Sequence, residues 1–241
     1  MKLLGAVLFP LVLVLFSSCR EIFAKRIRGN GNIVTQSREL GNFNSVHVSG
    51  NIDVYASQDS SFSVKVETDE NLQQYIEVIN DGGVLRIHEK EGTNPKSRKP
   101  IKVYVSSSTF KNFEASGACD IYSMDQITAT DVIEFHASGS CKITMDVNAP
   151  KINTHVTGAC DVIFKGETKD FSVEGSGSTD IRCFELKADN VNVDLSGSGD
   201  AEVYAESTLK GSVSGSADIR YKGNARPDIS TSGAASIKKA D

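Results

Sequence analysis

The feature that most constrains this chain is a seven-residue motif that recurs along its second half. Each copy has a Gly preceded by Ser or Thr, then a small residue two positions later and, in most copies, an Ile or Val four positions later. Helical repeats are longer than the spacing of these copies, so the repeating unit is built from strands. The Gly, called the marker glycine below, stands at positions 117, 139, 158, 177, 197, 215 and 233, with an isolated copy at position 50.

Within each copy, apolar and polar residues alternate, as in residues 171–174 and 191–195. This period of two is typical of strands with one buried face. Strands that recur every 18–22 residues, with almost no helical pattern between them, indicate one coil of a solenoid per repeat. We therefore predict an all-β fold, a parallel β-helix (solenoid) with coils of about 18–22 residues, preceded by an irregular β-strand region.

Stacked coils would place equivalent residues about 4.8 Å apart, so each column of aligned residues becomes a ladder in space. The columns that contain Cys119 and Ile121, after the marker glycine, and Val156 and Phe135, before it, are mostly small or apolar. These columns are expected to point inward. The marker glycine is expected at a corner where a positive φ or a close backbone approach excludes a side chain.

Three cysteines, Cys119, Cys141 and Cys160, share one inward column, and Cys183 lies in another. An exported protein can form disulfides, but side chains in register point the same way and three thiols cannot all pair. We expect free, buried thiols that act as small hydrophobic side chains. A soft-metal site is disfavoured because the column offers one ligand face and no neighbouring His.

Outward columns offer two further candidate sites. One stacks His136 and His155 between Glu114 and Glu174, and we expect it to be a solvated face rather than a metal or acid–base site. The other is an Asp column, which either accepts hydrogen bonds from turn amides, the favoured role, or binds Ca²⁺. The Asp column consists of Asp120, Asp161, Asp180, Asp200 and Asp218, with Lys142 and Ser236 replacing Asp in two coils.

The first nineteen residues predict an export signal. A charged Lys2 precedes an apolar stretch of residues 3–16, and small residues lead to Cys19. The stretch is shorter than the ~20 residues that a membrane-spanning helix needs, which favours a signal peptide over residues 1–18. The segment resembles a bacterial lipobox, although Phe16 departs from its usual Leu, and the resemblance implies that Cys19 is lipidated. An ordinary secreted protein with a spare Cys is the alternative.

The remaining chain divides by its pattern. Residues 19–38 contain several basic residues and indicate a solvated tether, whose charges could also touch anionic lipid. Residues 39–112 break the period but keep strand-like segments, so they predict irregular coils that cap the open edge. Residues 113–241 predict regular coils, and residues 39–241 form one structural unit.

A family resemblance is carried by residues 40–43, 48–54, 71–79 and 101–105 and by the Ser-Gly-Ser-Gly-Asp repeats. Together these segments resemble the head-GIN domain family, the proposed auto-transporter adhesins among Bacteroidetes lipoproteins. The resemblance covers nearly all of the mature chain. It implies a β-helical fold on the cell envelope and an adhesive role, and it supplies no binding residues to carry over.

We therefore predict a lipoprotein of the cell envelope, held on either face of the outer membrane by its acyl chains, that binds a polysaccharide or protein partner. The net charge of −5 and the lack of a basic cluster exclude nucleic acid. No catalytic, metal or cofactor residues are predicted, because coils 113–237 look alike and catalysis needs coils that break the repeat to build a cleft. The alternatives are a carbohydrate-active enzyme, either a polysaccharide lyase or a glycoside hydrolase, and a self-assembling envelope scaffold that forms homo-oligomers.

Overall fold

A computed structural model describes residues 24–240, so the predicted signal peptide (1–18) and the lipidation site Cys19 lie outside the described range. The described chain is all-β apart from one 3-10 helix, Glu70–Tyr75, which confirms the predicted class. The strands are β1 Lys25–Arg28, β2 Ile33–Arg38, β3 Ser45–Gly50, β4 Ile52–Gln58, β5 Ser63–Asp69, β6 Ile76–Asp81, β7 Val84–Glu89, β8 Thr93–Lys96, β9 Ile101–Ser107, β10 Asn112–Gly117, β11 Asp120–Thr128, β12 Val132–Gly139, β13 Lys142–Ser198, β14 Ala201–Ser216, β15 Asp218–Lys222, β16 Arg226–Gly233 and β17 Ser236–Lys239.

Fifteen of these strands form one sheet, which curls round and nearly closes on itself like a barrel. Successive copies of the motif are paired in parallel and in register, so that Gly117 is opposite Gly139 and Gly139 is opposite Gly158. The isolated copy joins the same ladder, because Gly50 is opposite Gly117. The number of residues between successive copies of the motif is therefore the sequence separation of the residues that pair across the sheet.

The interior is filled by the columns that were predicted to point inward. Cys119 and Ile121 are fully buried, and so are Phe135 and, almost completely, Val156. Phenylalanine rings from successive copies stack through the centre, with the rings of Phe113 and Phe135 parallel at 5.6 Å. Each buried side chain of this size contributes roughly 1.5–3 kcal/mol to folding, so these columns account for much of the fold's stability.

The marker glycines adopt the conformation that the repeat predicted. Their φ angles lie between 99° and 121°, a region that side chains with a Cβ rarely adopt. A Cβ on Gly177 would lie 2.5 Å from the carbonyl oxygen of Gly158 on the preceding copy. Both a positive φ and a close backbone approach therefore exclude a side chain at this corner.

The N-terminal end of the sheet is built differently from the rest. Antiparallel pairing in the described range is confined to this end, where β5 pairs with β2 and β9, and β6 pairs with β7. The 3-10 helix adds the fully buried Leu72 to this end. The interior is therefore covered here, whereas Ala235 and Ile237 in the last copy are only partly buried.

The predicted tether (19–38) is wrong over residues 24–38, which are paired rather than free. Strand β1 pairs with β8, and β2 pairs with β5. The fully buried carboxylate of Asp69 accepts a hydrogen bond from the Gly31 amide at 2.5 Å, and Asn71 Nδ2 donates to the Arg28 carbonyl at 2.8 Å. The polar composition of this segment suggested a linker, but backbone and Asx hydrogen bonds hold it in place without an apolar pattern.

Candidate functional site

Two irregularities interrupt the parallel ladders on one outward face. Between Tyr122 and Gln126, β11 carries two more residues than the facing stretch of β13 from Thr144 to Asp146. A second irregularity follows Cys183, where β13 carries three more residues than the facing stretch of β14. Extra residues of this kind make β-bulges, which bend the strand and redirect its side chains.

The two bulges form the walls of a surface groove of about 500 Å³. Met124 and Asp125 belong to the first wall, and Phe184 and Glu185 belong to the second. Two unbulged copies of the motif lie between the walls, so the walls are three ladder steps, or about 14 Å, apart from centre to centre. The floor consists of Thr144, Met145, Asp146, Ile163, Phe164 and Lys165.

The first wall is held rigidly by Gln58, which lies on the preceding copy of the motif. The backbone amide of Gln58 donates to Asp125 Oδ1 at 3.0 Å. The Gln58 side chain accepts a hydrogen bond from the Thr128 amide at 2.6 Å and donates one to the Thr128 carbonyl at 3.0 Å. From the other side, the Asp146 amide donates to Ser123 Oγ at 2.8 Å. The bulge is therefore fixed before any ligand arrives, which reduces the entropy cost of binding.

The charged side chains Asp146, Lys165 and Arg182 of the groove are paired, either with one another or with polar side chains just outside it. Lys165 Nζ lies 3.2 Å from Asp146 Oδ2, and Gln126 Nε2 donates to Asp146 Oδ1 at 2.9 Å. Arg182 Nη2 donates to Asp180 Oδ2 at 2.8 Å. These contacts hold one hydrogen-bond acceptor, Asp146, and two donors, Lys165 and Arg182, at fixed positions along the groove.

Apolar side chains and uncompensated carboxylates line the walls. Met124 is 62% exposed, an unusual degree for a large apolar residue. The ring of Phe184 lies 5.2 Å from Lys222 Nζ and 5.7 Å from Arg220 Cζ, which steadies it by cation–π attraction. The whole lining has four carboxylates and two cations, a net charge of −2, contributed by Asp125, Asp146, Glu185, Glu202, Lys165 and Arg182.

The expectation that coils 113–237 are alike is therefore wrong. The signal was present in the spacing of the marker glycines, because the two longest steps, 22 and 20 residues, begin at Gly117 and Gly177. The copies that begin at these two glycines carry the two bulges. A longer step can be absorbed in any turn, however, so the spacing alone does not say that both insertions lie on the same face.

The Asp column links neighbouring copies of the motif. Asp120 Oδ1 accepts a hydrogen bond from the Lys142 amide at 3.2 Å, and Asp200 Oδ1 accepts one from the Asp218 amide at 3.1 Å. The predicted role as acceptor of amide hydrogen bonds is correct for these two residues, but the donor is on the next copy rather than in the same turn. Among residues 24–240, no group of three metal-binding side chains occurs.

Asp120 also contacts Tyr122, the residue at the edge of the first bulge. The Tyr122 hydroxyl donates to Asp120 Oδ2 at 2.9 Å. Burial and this hydrogen bond to a carboxylate raise the pKa of Tyr122, so it stays a neutral hydrogen-bonding group. Its ring stacks on that of Tyr55 at 5.2 Å.

The predicted histidine column is confirmed. The rings of His136 and His155 stack at 5.1 Å with an angle of 9° between them, and His155 Nδ1 lies 3.2 Å from Glu174 Oε2. Glu114 Oε2 lies 2.5 Å from the Nε2 of His47, which stands three residues before the isolated marker glycine Gly50 and extends the column, although the sequence prediction did not include it. Because these side chains satisfy one another along the surface, the column reads as a network of polar contacts outside the groove.

The four cysteines of the described chain are free and buried, as predicted. Their thiols also act as hydrogen-bond donors, since Cys119 Sγ donates to the Gly50 carbonyl at 3.4 Å and Cys141 Sγ to the Gly117 carbonyl at 3.6 Å. Burial raises the pKa of Cys119 to about 11. A hydrogen bond with Cys160 raises the pKa of Cys141 as well. Their burial and their hydrogen bonds to the carbonyls of the marker glycines indicate that these thiols serve packing.

Comparison with known protein families gives one match, to the model described as "Putative auto-transporter adhesin, head GIN domain", over residues 42–225. The chain belongs to the head GIN domain family. That family is named for adhesion, and the match covers both bulges of the groove and the ladders between them. No functionally curated protein matches the chain.

Solved structures share the fold of this head GIN domain protein. A "putative adhesin" from Bacteroides fragilis has a TM-score of 0.81 and 19% identity, over 89% of this chain and 100% of that chain. A "putative adhesin" from Parabacteroides distasonis has a TM-score of 0.74 and 23% identity, over 90% and 100%. A "putative lipid binding protein" from the same organism has a TM-score of 0.69 and 21% identity, over 90% and 100%. At these identities the likeness concerns the fold.

Among residues 24–240, no helix has the length and apolar character that crossing a membrane requires.

Proposed function

We propose that this head GIN domain protein is a non-enzymatic lipoprotein of the outer membrane that binds a surface polysaccharide or a protein partner in the groove. The observation that carries this proposal is the coincidence of the two longest repeat steps with the two walls of the groove. In a repeat protein, each regular copy needs only to stack on its neighbours, so insertions that meet across one surface indicate a site. The family's description as an adhesin supports a binding role.

The polar contacts of the groove favour binding over catalysis. Glycoside hydrolysis needs a carboxylic acid that can pass a proton to the substrate. Both oxygens of Asp146, the carboxylate of the floor, are already engaged with Lys165 and Gln126. The wall carboxylates Asp125 and Glu185 are exposed and lie on opposite bulges, where they suit recognition of a ligand.

We also infer that the stacked ladders are successive coils of a parallel β-helix, with residues 39–112 as irregular coils and cap and residues 113–241 as regular coils. The parallel, in-register pairing of successive copies supports this architecture. The inward column that contains Ala115, Ala137, Val156, Leu195 and Val213 is buried, and this supports the architecture as well.

Membrane attachment is proposed to occur through Cys19 after removal of residues 1–18. Residues 19–23 would then connect the lipid to Ala24, and five residues span at most about 18 Å. Ala24 lines the same surface cavity as Ser49 and Gly50, at the N-terminal end of the ladders. A lipid on Cys19 would therefore hold the capped end close to the bilayer, with the groove on the side of the domain.

Whole cells that carry the full-length protein test this proposal. Metabolic labelling with a radioactive fatty acid should mark the wild type and not Cys19→Ala, and protease shaving of intact cells should report the membrane face. Attachment of these cells to immobilised polysaccharides and matrix proteins should be lost in the double variant Met124→Ser, Phe184→Ala. The exposed change Ser176→Ala, outside the groove, should leave attachment unchanged. Labelling of Cys19→Ala, or full attachment by the groove variant, would contradict the proposal.

A further inference from the structure

We propose that the groove binds a glycan that carries no acidic groups, either a neutral or an amino-bearing oligosaccharide. This inference rests on the proposed function and names its ligand class. Three properties of the groove lead to it: the state of its backbone, the arrangement of its polar side chains, and its charge.

The backbone of the groove offers no open sheet edge to an extended peptide. The floor is the face of a sheet, where β11 pairs with β13 on both sides of the first bulge, at Tyr122 with Thr144 and at Gln126 with Asp146. Peptides that bind as added strands need an open sheet edge, and amphipathic helices need a continuous apolar trough. The partly exposed apolar side chains of the groove are Met124 and Phe184 on the two walls and Ile163 on the floor, and charged side chains line the groove beside them, so it has no continuous apolar trough.

The side chains of the groove suit sugar hydroxyls instead. A hydroxyl both donates and accepts, and it needs partners of both kinds when it leaves water. Asp146 supplies acceptors, while Lys165 and Arg182 supply donors, and the contacts of Lys165 with Asp146 and of Arg182 with Asp180 fix their positions. The ring of Phe184 provides an apolar wall for the C–H face of a sugar ring, and a spacing of about 14 Å between the walls fits one chain.

The charge of the groove selects against acidic sugars. Asp125 and Glu185 are exposed on the two walls, and no cation in the described range pairs with either side chain. A carboxylate-bearing sugar between these walls would meet like charges on both sides, which disfavours binding. An uncharged sugar meets no such repulsion, and an amino sugar gains attraction.

The test uses the full-length protein in detergent and tetrasaccharides that share one backbone. Glucose, glucosamine and glucuronic acid tetramers, each in β-1,4 and α-1,4 linkage, are titrated calorimetrically. The glucose or glucosamine form should bind at least tenfold more tightly than the glucuronic acid form of the same linkage. Only the glucosamine form should weaken as the salt concentration rises, because its attraction alone is electrostatic.

Variants separate the contributions of ring and charge. Phe184→Ala should weaken the glucose tetramer at least tenfold. The double variant Asp125→Asn, Glu185→Gln should weaken the glucosamine tetramer and strengthen the glucuronic acid tetramer, because it removes the attraction to the one and the repulsion of the other. Asp228→Asn, which removes an exposed carboxylate outside the groove, should change none of them.

Tighter binding of the glucuronic acid tetramer, or glucose binding that Phe184→Ala does not weaken, would overturn the inference. If no tetrasaccharide binds but a matrix protein does, and Phe184→Ala abolishes that binding, the glycan class is refuted while the proposed function stands. If neither class of partner binds, the proposed function itself fails.

Discussion

Replacing the marker glycine Gly177 with valine tests the corner on which the stacking of the ladders depends. A Cβ at a positive φ of 109° costs on the order of 1–2 kcal/mol. The same Cβ would lie 2.5 Å from the Gly158 carbonyl oxygen, so the facing backbone must move, and overpacking of this kind adds about 1–3 kcal/mol. Together these terms give a loss of about 2–5 kcal/mol for Gly177→Val.

Thermal unfolding followed by circular dichroism measures this loss. For a chain of this length, each kcal/mol corresponds to roughly 2–4 °C, so the midpoint should fall by about 4–20 °C. The matched control is Ser176→Val, which adds the same side chain one residue earlier. Ser176 is exposed, and the preceding copy already carries the β-branched Thr157 at this position, so the control should stay within about 0.5 kcal/mol. Equal midpoints for Gly177→Val and wild type would refute the corner geometry.

Three further outcomes follow from the contacts. Burial raises the pKa of Cys119 from 9.0 to about 11, so the contribution of this thiol to stability is complete below pH 9 and should be lost as the pH rises towards 11. Cys119→Ala should reduce this decline when unfolding is measured as a function of pH, and rapid thiol labelling of the native protein at about pH 8 would contradict the burial. Asp200→Ala should cost about 1 kcal/mol in urea unfolding through loss of its hydrogen bond to the Asp218 amide, whereas a chelator should leave the wild-type midpoint unchanged; a chelator-induced drop would point to a bound cation. Gln58→Ala removes the side-chain hydrogen bonds to the Thr128 backbone but keeps the backbone donor to Asp125, so it should cost about 1–3 kcal/mol and weaken partner binding; unchanged binding would show that the first wall does not need this support.

Much of the fold could be predicted from the sequence because the repeat acts at the level of backbone geometry. Parallel pairing in register forces equivalent residues into columns, so the alternation around Val156 indicates which columns are buried. The invariance of the marker glycine among the copies indicates a constraint on φ, which the angle of 105° at Gly158 bears out. Both inferences need only the period of two and the spacing of the copies.

What could not be predicted depends on contacts between segments that share no pattern. Backbone hydrogen bonds pair β1 with β8, and the buried Asp69 holds the Gly31 amide that follows β1; neither contact leaves an apolar signature. The groove requires two bulges on the same face, and the step length fixes the number of extra residues but not the turn that takes them. The roles of Gln58 and of the amide partners of the Asp column are likewise contacts between copies, which a single motif does not encode.

The most direct test of the groove as the binding site is to remove one wall while keeping the fold. Deleting Ser123 and Asp125 leaves Tyr122, Met124 and Gln126 opposite Thr144, Met145 and Asp146, so β11 would regain the regular register with a Met in the inward position. Partner binding by the full-length deletion variant is then measured beside its unfolding midpoint. The account predicts that the midpoint falls by about 4–8 °C, because the hydrogen bonds of Asp125 with Gln58 and of Ser123 with Asp146 are lost at about 1 kcal/mol each, and that binding is lost. Full binding by a folded deletion variant would contradict the assignment of the groove.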